Sequence, residues 1–137
     1  MTTMPRRYHR SSFLMSHVIN PVSLRLGGPA LIVRGRHSGR EIRTLLPTFD
    51  FEGERYLVSG GGETDWVRNL RAAGRAVLRR GRAGQVFLAV EVKGDPHDRI
   101  VAAYRVKMGR RAREFFRALP DPADHPVFRV EAFIAQK

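Results

Sequence analysis

No cysteine occurs anywhere in the chain, which excludes disulfides, thiolate metal sites, iron–sulfur clusters and a thiol nucleophile together. Acidic residues are scarce beside basic ones, 13 Asp and Glu against 25 Lys and Arg, and the formal net charge is +12. Lysine is nearly missing as well. Lys93, Lys107 and Lys137 are the only ones, so arginine carries the charge. Its planar fork of donors matches carboxylates and phosphates and stays charged when half-buried. Such a surface attracts anions: nucleic acid, acidic lipid headgroups or an acidic small molecule. Charge alone does not choose among them. No apolar run is long enough to span a bilayer. The histidines (His9, His17, His37, His97, His125) show no HExxH or other ligand spacing, so no metal site is expected. The basic N-terminus makes a poor signal peptide, because Ser16, His17, Asn20 and Pro21 interrupt its apolar stretch. A cytoplasmic protein is the expectation, with peripheral membrane contact through that N-terminal segment as an addition to it.

What is present suits one folded domain. The 137 residues are 42% hydrophobic, enough for a core, and a second copy in a homodimer would add buried surface. Phe13, Leu14, His17 and Val18 stand at helical spacing within 11–26, before Gly27-Gly28-Pro29 ends the segment. Residues 1–28 are therefore read as a basic amphipathic segment and 29–137 as the main domain. Strands are expected at 30–34, at 42–51 and at 55–59, the last two forming a hairpin about Glu52-Gly53. Thr64 or Asp65 is a good N-cap and Gly74 a natural C-cap, so 66–73 reads as a short helix. A second hairpin turns at Gly81, with alternating faces along 84–94. Ile100, Val101, Tyr104 and Met108 set one helix, and Ala112, Phe115, Phe116 and Leu119 another. "PDPADHP" breaks the chain before a last strand at 127–134. Hairpins outnumber parallel units, so five or six antiparallel strands closing as a small barrel are expected.

Two stretches carry chemical promise. "RGRHSGREIRTLLPTF" gathers Arg34, Arg36, His37, Arg40 and Arg43 around a Ser-Gly turn. Backbone N–H groups, the Ser38 hydroxyl and the flanking arginines could grip a phosphate or carboxylate; a solvated hairpin tip is the plainer reading. "SGGGETDWVRNL" runs three glycines from a strand into a helix N-terminus. Glycines let a ligand approach the backbone, but Glu63 and Asp65 would repel a phosphate there, so a flat ring fits better. Trp66 could lie against that ring, although a lone helical Trp is commonly core. Asn69 is the better source of a specific hydrogen bond. Tyr104 is a candidate proton donor or lid residue, with a core role as its competitor. "MGRRAREFFRAL" interleaves arginines with aromatics, as some nucleic-acid surfaces do, but the aromatics keep helical spacing and read as core.

"GRHSGREIRT", followed one hairpin later by the glycine turn and "DWVRNLRAAG", resembles the deazaflavin-dependent nitroreductase family. These are small split-barrel oxidoreductases that bind coenzyme F420. The resemblance implies an antiparallel split β-barrel, similar to the FMN-binding split barrels, with short flanking helices. It implies that Arg36, His37, Ser38, Gly39 and Arg43 hold the phosphate and glutamate tail of the coenzyme. By the same resemblance Leu46, Pro47, Ser59, Gly60 and Gly61 line the ring, joined by Trp66, Val67 and Asn69. The implied activity is hydride transfer from reduced F420 to a small electron-poor acceptor: a quinone, enone or nitroaromatic. Three alternatives stand beside it: a split barrel using FMN or haem, a non-catalytic deazaflavin carrier, and, from another class, a nucleic-acid-binding module.

Overall fold

The computed structural model describes residues 29–132; the expected helix within 11–26 lies outside the described residues. Seven antiparallel strands make one sheet: β1 (Ala30–Arg34), β2 (Glu41–Leu45), β3 (Phe49–Phe51), β4 (Glu54–Val58), β5 (Arg75–Arg80), β6 (Ala83–Val92) and β7 (Val127–Ala132). Their spatial order is β2-β1-β5-β6-β7-β4-β3. Helix α1 (Asp65–Ala73) joins β4 to β5, while α2 (Gly94–Met108), α3 (Arg110–Ala118) and a 3-10 turn (Pro122–Asp124) lie between β6 and β7.

The expected single strand at 42–51 is in fact two. Its first half pairs with β1 at one edge of the sheet and its second half with β4 at the other. Pro47 cannot donate to a ladder, so the break falls at Leu46-Pro47-Thr48. That break closes the fold. Laid flat, the two edges would stand roughly 29 Å apart, yet the chain from Leu45 to Phe49 spans at most about 15 Å. The sheet therefore curls until its edges approach, as a half-open barrel, and the described residues alone form seven strands rather than five or six.

The curl gives the sheet an inside and an outside. Inside, Leu31, Val33, Leu57, Ala76, Phe87 and Phe128 pack with Leu46 and with Val67 and Leu70 of α1. Each fully buried Phe or Leu contributes about 2–3 kcal/mol of apolar burial. Alternation along β6 is as expected, and it is the Phe87 and Ala89 side that turns inward; Val86 faces out at 42% exposure. Outside, α2 and α3 set Ile100, Val101, Tyr104, Ala112 and Phe116 against Phe49, Tyr56, Val58 and Val127. Helix α1 belongs to the first cluster, and α2 and α3 to the second.

Candidate functional site

The tip between β1 and β2, the C-terminal end of β4 and the whole of α1 meet at one end of the barrel. Arg36 makes the junction. Its backbone N–H and its guanidinium both donate to Asn69 Oδ1, at 3.0 and 2.7 Å, and Asp65 lies 3.4 Å away. Two donors on one oxygen fix the orientation of the Asn69 amide and leave its NH2 as the donor end. Asn69 is only 2% exposed, which explains why a polar residue tolerates that depth: its oxygen is satisfied.

The rest of the tip is open. His37, Ser38, Gly39, Arg40 and Arg43 are exposed, with Arg34 donating to the Gly39 carbonyl at 3.0 Å and Ser38 Oγ accepting from the Arg40 N–H at 3.1 Å. Arg40 and Arg43 have no carboxylate partner among the described residues. Arg43 pairs across the ladder with Ile32, on the face away from Leu31 and Val33, so it stands apart from Arg36. The two arginines expected to act together thus diverge, one toward α1 and one toward solvent.

The glycine turn is held from several sides. Ser59 Oγ donates to the Gly62 carbonyl at 2.6 Å, the Ser59 N–H donates to the Pro126 carbonyl at 2.9 Å, and the Ser59 carbonyl meets His125 Nδ1 at 2.9 Å. Each polar group of Ser59 has a partner, and these bonds shape the turn. Gly60 is required by packing: a Cβ there would meet the Phe115 ring of α3 at 2.7 Å. Gly62 has φ +83°, and Gly61 beside it is buried. Glu63, expected to repel anions, is held by Arg71 at 2.8 and 3.0 Å, and Arg71 also forks onto Glu91 at 2.8 and 2.9 Å. The Arg71 hydrogen bonds hold both carboxyls below the usual carboxylate range, against the opposing effect of burial. That cage ties the turn, α1 and β6 together and removes most of the repulsion.

Thr64 is the N-cap of α1 by position, yet its side chain makes no capping bond. Its Oγ1 is a buried polar atom with no hydrogen-bond partner. An uncapped helix N-terminus beside an unsatisfied hydroxyl is where a ligand oxygen or nitrogen would relieve both groups. Trp66 is half-buried and tilts on Phe128 at 6.2 Å between centroids. Val67 and Leu46 belong to the inner core, and Pro47 is exposed.

Tyr104 lies elsewhere. It is on α2 in the outer cluster, edge-on to Phe49 at 5.6 Å, and burial pushes its hydroxyl up to about 12. Thr64, Arg71 and His125 are the residues whose part the sequence reading did not assign. Thr64 was legible only as a cap, and His125 sits in a stretch that reads as a plain break. Among the described residues there is no group of three or more His, Asp or Glu side chains that could hold a metal, and no helix is long and apolar enough to cross a membrane.

A curled antiparallel sheet with a cation-rich tip, a glycine turn and a helix N-terminus at one end defines a split-barrel protein. The profile of the F420H(2)-dependent quinone reductase family matches residues 9–117, and the chain belongs to that family. It is therefore an F420-dependent oxidoreductase, with coenzyme F420 as its cofactor. The deazaflavin resemblance is borne out, with nitroreductase the looser of the two names. No characterised protein with a curated description matches the sequence significantly. Among solved structures, an F420-H2 dependent reductase, FDR-A, aligns at 19% identity and TM-score 0.58, over 75% of this chain and 92% of its own. A protein described as a domain-swapped dimer aligns at 16% identity and TM-score 0.59, over 90% of this chain and 100% of its own. HutZ, the heme storage protein from Vibrio cholerae, aligns at 10% identity and TM-score 0.59, over 88% and 92%. These likenesses share the fold across different cofactors, so fold alone does not select one; the family does.

Proposed function

We propose that the chain holds reduced F420 across the end of the barrel formed by the tip, the glycine turn and α1, and passes a hydride to a quinone-type acceptor. The reading rests on one observation, the paired Arg36 bonds to Asn69, which hold the cationic tip against the helix that opens at the glycine turn. An acidic tail and a flat ring in one molecule need that adjacency of charge and slot. The residues fit such a group: the tip offers unpaired cations, and Thr64 offers a buried hydroxyl without a partner. His37, Ser38, Gly39, Arg40 and Arg43 would take the phosphate and carboxylates of the tail. Arg36 orients Asn69, whose NH2 would bond the polar edge of the ring, with Thr64 as a second contact. Trp66, Gly61 and the backbone of Gly60 would flank the ring. Leu46 and Val67 support that wall from the core.

When bound in its reduced form, the deazaflavin supplies the hydride. The protein's part is to orient the ring, exclude water from one face and steady the charge that develops. We assign no proton to Tyr104, because it packs with Phe49 in the outer cluster; the acceptor's proton would come from solvent.

Fluorescence titration with oxidised F420 beside FMN, at two salt concentrations, tests the site. Saturable F420 binding that weakens with salt supports it, and FMN binding alone would overturn it. Reduction of a soluble quinone by reduced F420, followed by absorbance beside a nitroaromatic and an enone, tests the acceptor. A homodimer and a cytoplasmic location belong to the same reading. The first is supported by the dimeric neighbour and decided by light scattering. Peripheral membrane contact through residues 1–28 concerns a segment outside those described, and co-sedimentation with liposomes decides it.

A further inference from the structure

His125 is fully buried, and both of its ring nitrogens face carbonyl oxygens. Nδ1 lies 2.9 Å from the carbonyl of Ser59 and Nε2 lies 2.6 Å from the carbonyl of Leu119. A neutral imidazole has one N–H and one lone pair, so it can donate to only one of them. The other nitrogen would then set its lone pair against a carbonyl lone pair at hydrogen-bond distance. Only the imidazolium donates to both. The ring also stacks on Phe116 at 4.2 Å between centroids with 29° between planes, a contact that favours a cation over the aromatic face.

We propose that His125 is a positioning residue of the cofactor site: as an imidazolium it clasps the Ser59 and Leu119 carbonyls and fixes the glycine turn against the outer helices. This rests on the reading that the glycine turn lines the ring. Ser59 begins that turn, and Phe115 of α3 closes on Gly60 from the same side, so the clasp sets where the Gly60-Gly61 backbone stands. When the ring loses its proton, one of the two carbonyls is released and the turn loosens. Affinity for the coenzyme then falls as pH rises.

Several charged or titratable groups surround the ring. From α2 come His97, whose Nε2 lies 2.7 Å from the His125 carbonyl, and Asp98, 2.9 Å from His97 Nδ1. Arg105, also of α2, lies over the Phe116 ring at 4.9 Å. Close to His125 in sequence come Asp124, the last residue of the 3-10 turn, and Asp121, which caps that turn by accepting from the Ala123 N–H. Both ring nitrogens of His125 lie at hydrogen-bond distance from neutral carbonyls.

The test follows the His125 ring nitrogens and the Gly60 amide by 15N NMR in the full-length protein between pH 5 and 8.5, alongside oxidised F420 affinity by fluorescence. The Gly60 nitrogen is bonded to the Ser59 carbonyl carbon and so reports that hydrogen bond directly. A His37→Gln background removes the tip histidine's own titration from the binding curve. The expected result is an imidazolium at the acid end, a Gly60 shift with the same midpoint, and an affinity loss of about tenfold over that step. His97→Gln should keep the step, and His125→Gln should abolish it. A ring neutral throughout, or a Gly60 amide and affinity that ignore its titration, would overturn the proposal. If no F420 binds at any pH, the cofactor reading fails and the positioning role with it, while the NMR titration still decides whether the clasp exists.

Discussion

Two sets of arginines stand within one end of this barrel and differ in what surrounds them. Arg71 is enclosed by Glu63 and Glu91, whose side chains are 16% and 18% exposed, with four N–O contacts between 2.8 and 3.0 Å. Arg40 and Arg43 at the tip are exposed and have no carboxylate partner among the described residues. The first is neutralised within the fold, and the second stands open to solvent. A net charge of +12 therefore says little until each cation is asked what already neutralises it.

The contrast breaks most readily at Arg71. Arg71→Ala strips Glu63 of its hydrogen-bonding partner and leaves Glu91 only the exposed Lys93 at 3.4 Å, and should cost about 2–3 kcal/mol, less than a wholly buried pair because Arg71 is partly solvated. A thermal melt should fall by about 10 °C. A loss below about 0.5 kcal/mol would mean the cage is ornamental. Next in size, Arg40→Ala and Arg43→Ala should each weaken F420 binding about tenfold at low salt, with the gap narrowing as salt rises. Their melting temperatures should not move. If a tip variant melts early while binding normally, the roles of the two sets are reversed.

Acid sharpens the same comparison with a smaller effect. The Glu63 and Glu91 carboxyls sit below their ordinary value of 4.5 in the folded chain, chiefly through hydrogen bonds from Arg71. Their stabilisation is present above that value and is lost as pH falls below it, through the folded-state titration. Urea midpoints measured from pH 7 down to pH 3 should show this decline, and Arg71→Ala should flatten it. Smallest of all, Tyr104→Phe should change turnover by less than about twofold, since the ring keeps its packing on Phe49. A large drop in kcat at unchanged KM would restore Tyr104 as a proton donor and move the site.

Much of this was legible because local rules were strong. The Gly74 C-cap and the apolar spacing of Val67 and Leu70 give α1 from sequence, and the Gly53 and Gly81 turns give both hairpins. The strand at 42–51 reads as one because apolar residues flank Pro47 on both sides; Pro47 marks the break, and the ladder partners, Ala30 to Arg34 for one half and Glu54 to Tyr56 for the other, show that the halves join opposite edges. Among site residues, Asn69 was anticipated as a hydrogen-bonding group, but its partner Arg36 lies 33 positions away and no local pattern joins them. Ser59 looked like a ligand contact and is engaged on every side by Gly62, Pro126 and His125. Gly60 reads as room for a ring, and the structure packs Phe115 where its side chain would point.

By itself the sequence determined the elements, the absence of thiol chemistry, the arginine-borne charge and the paired motifs of a deazaflavin enzyme. These depend on residue type and short-range spacing, which a chain carries with it unfolded. Tertiary structure alone decided which arginines are neutralised, which glycine has a ring packed against it, and that a histidine in an apparent break meets the carbonyls of Ser59 and Leu119. Those outcomes depend on which distant groups meet in low dielectric, and no spacing along the chain encodes that meeting.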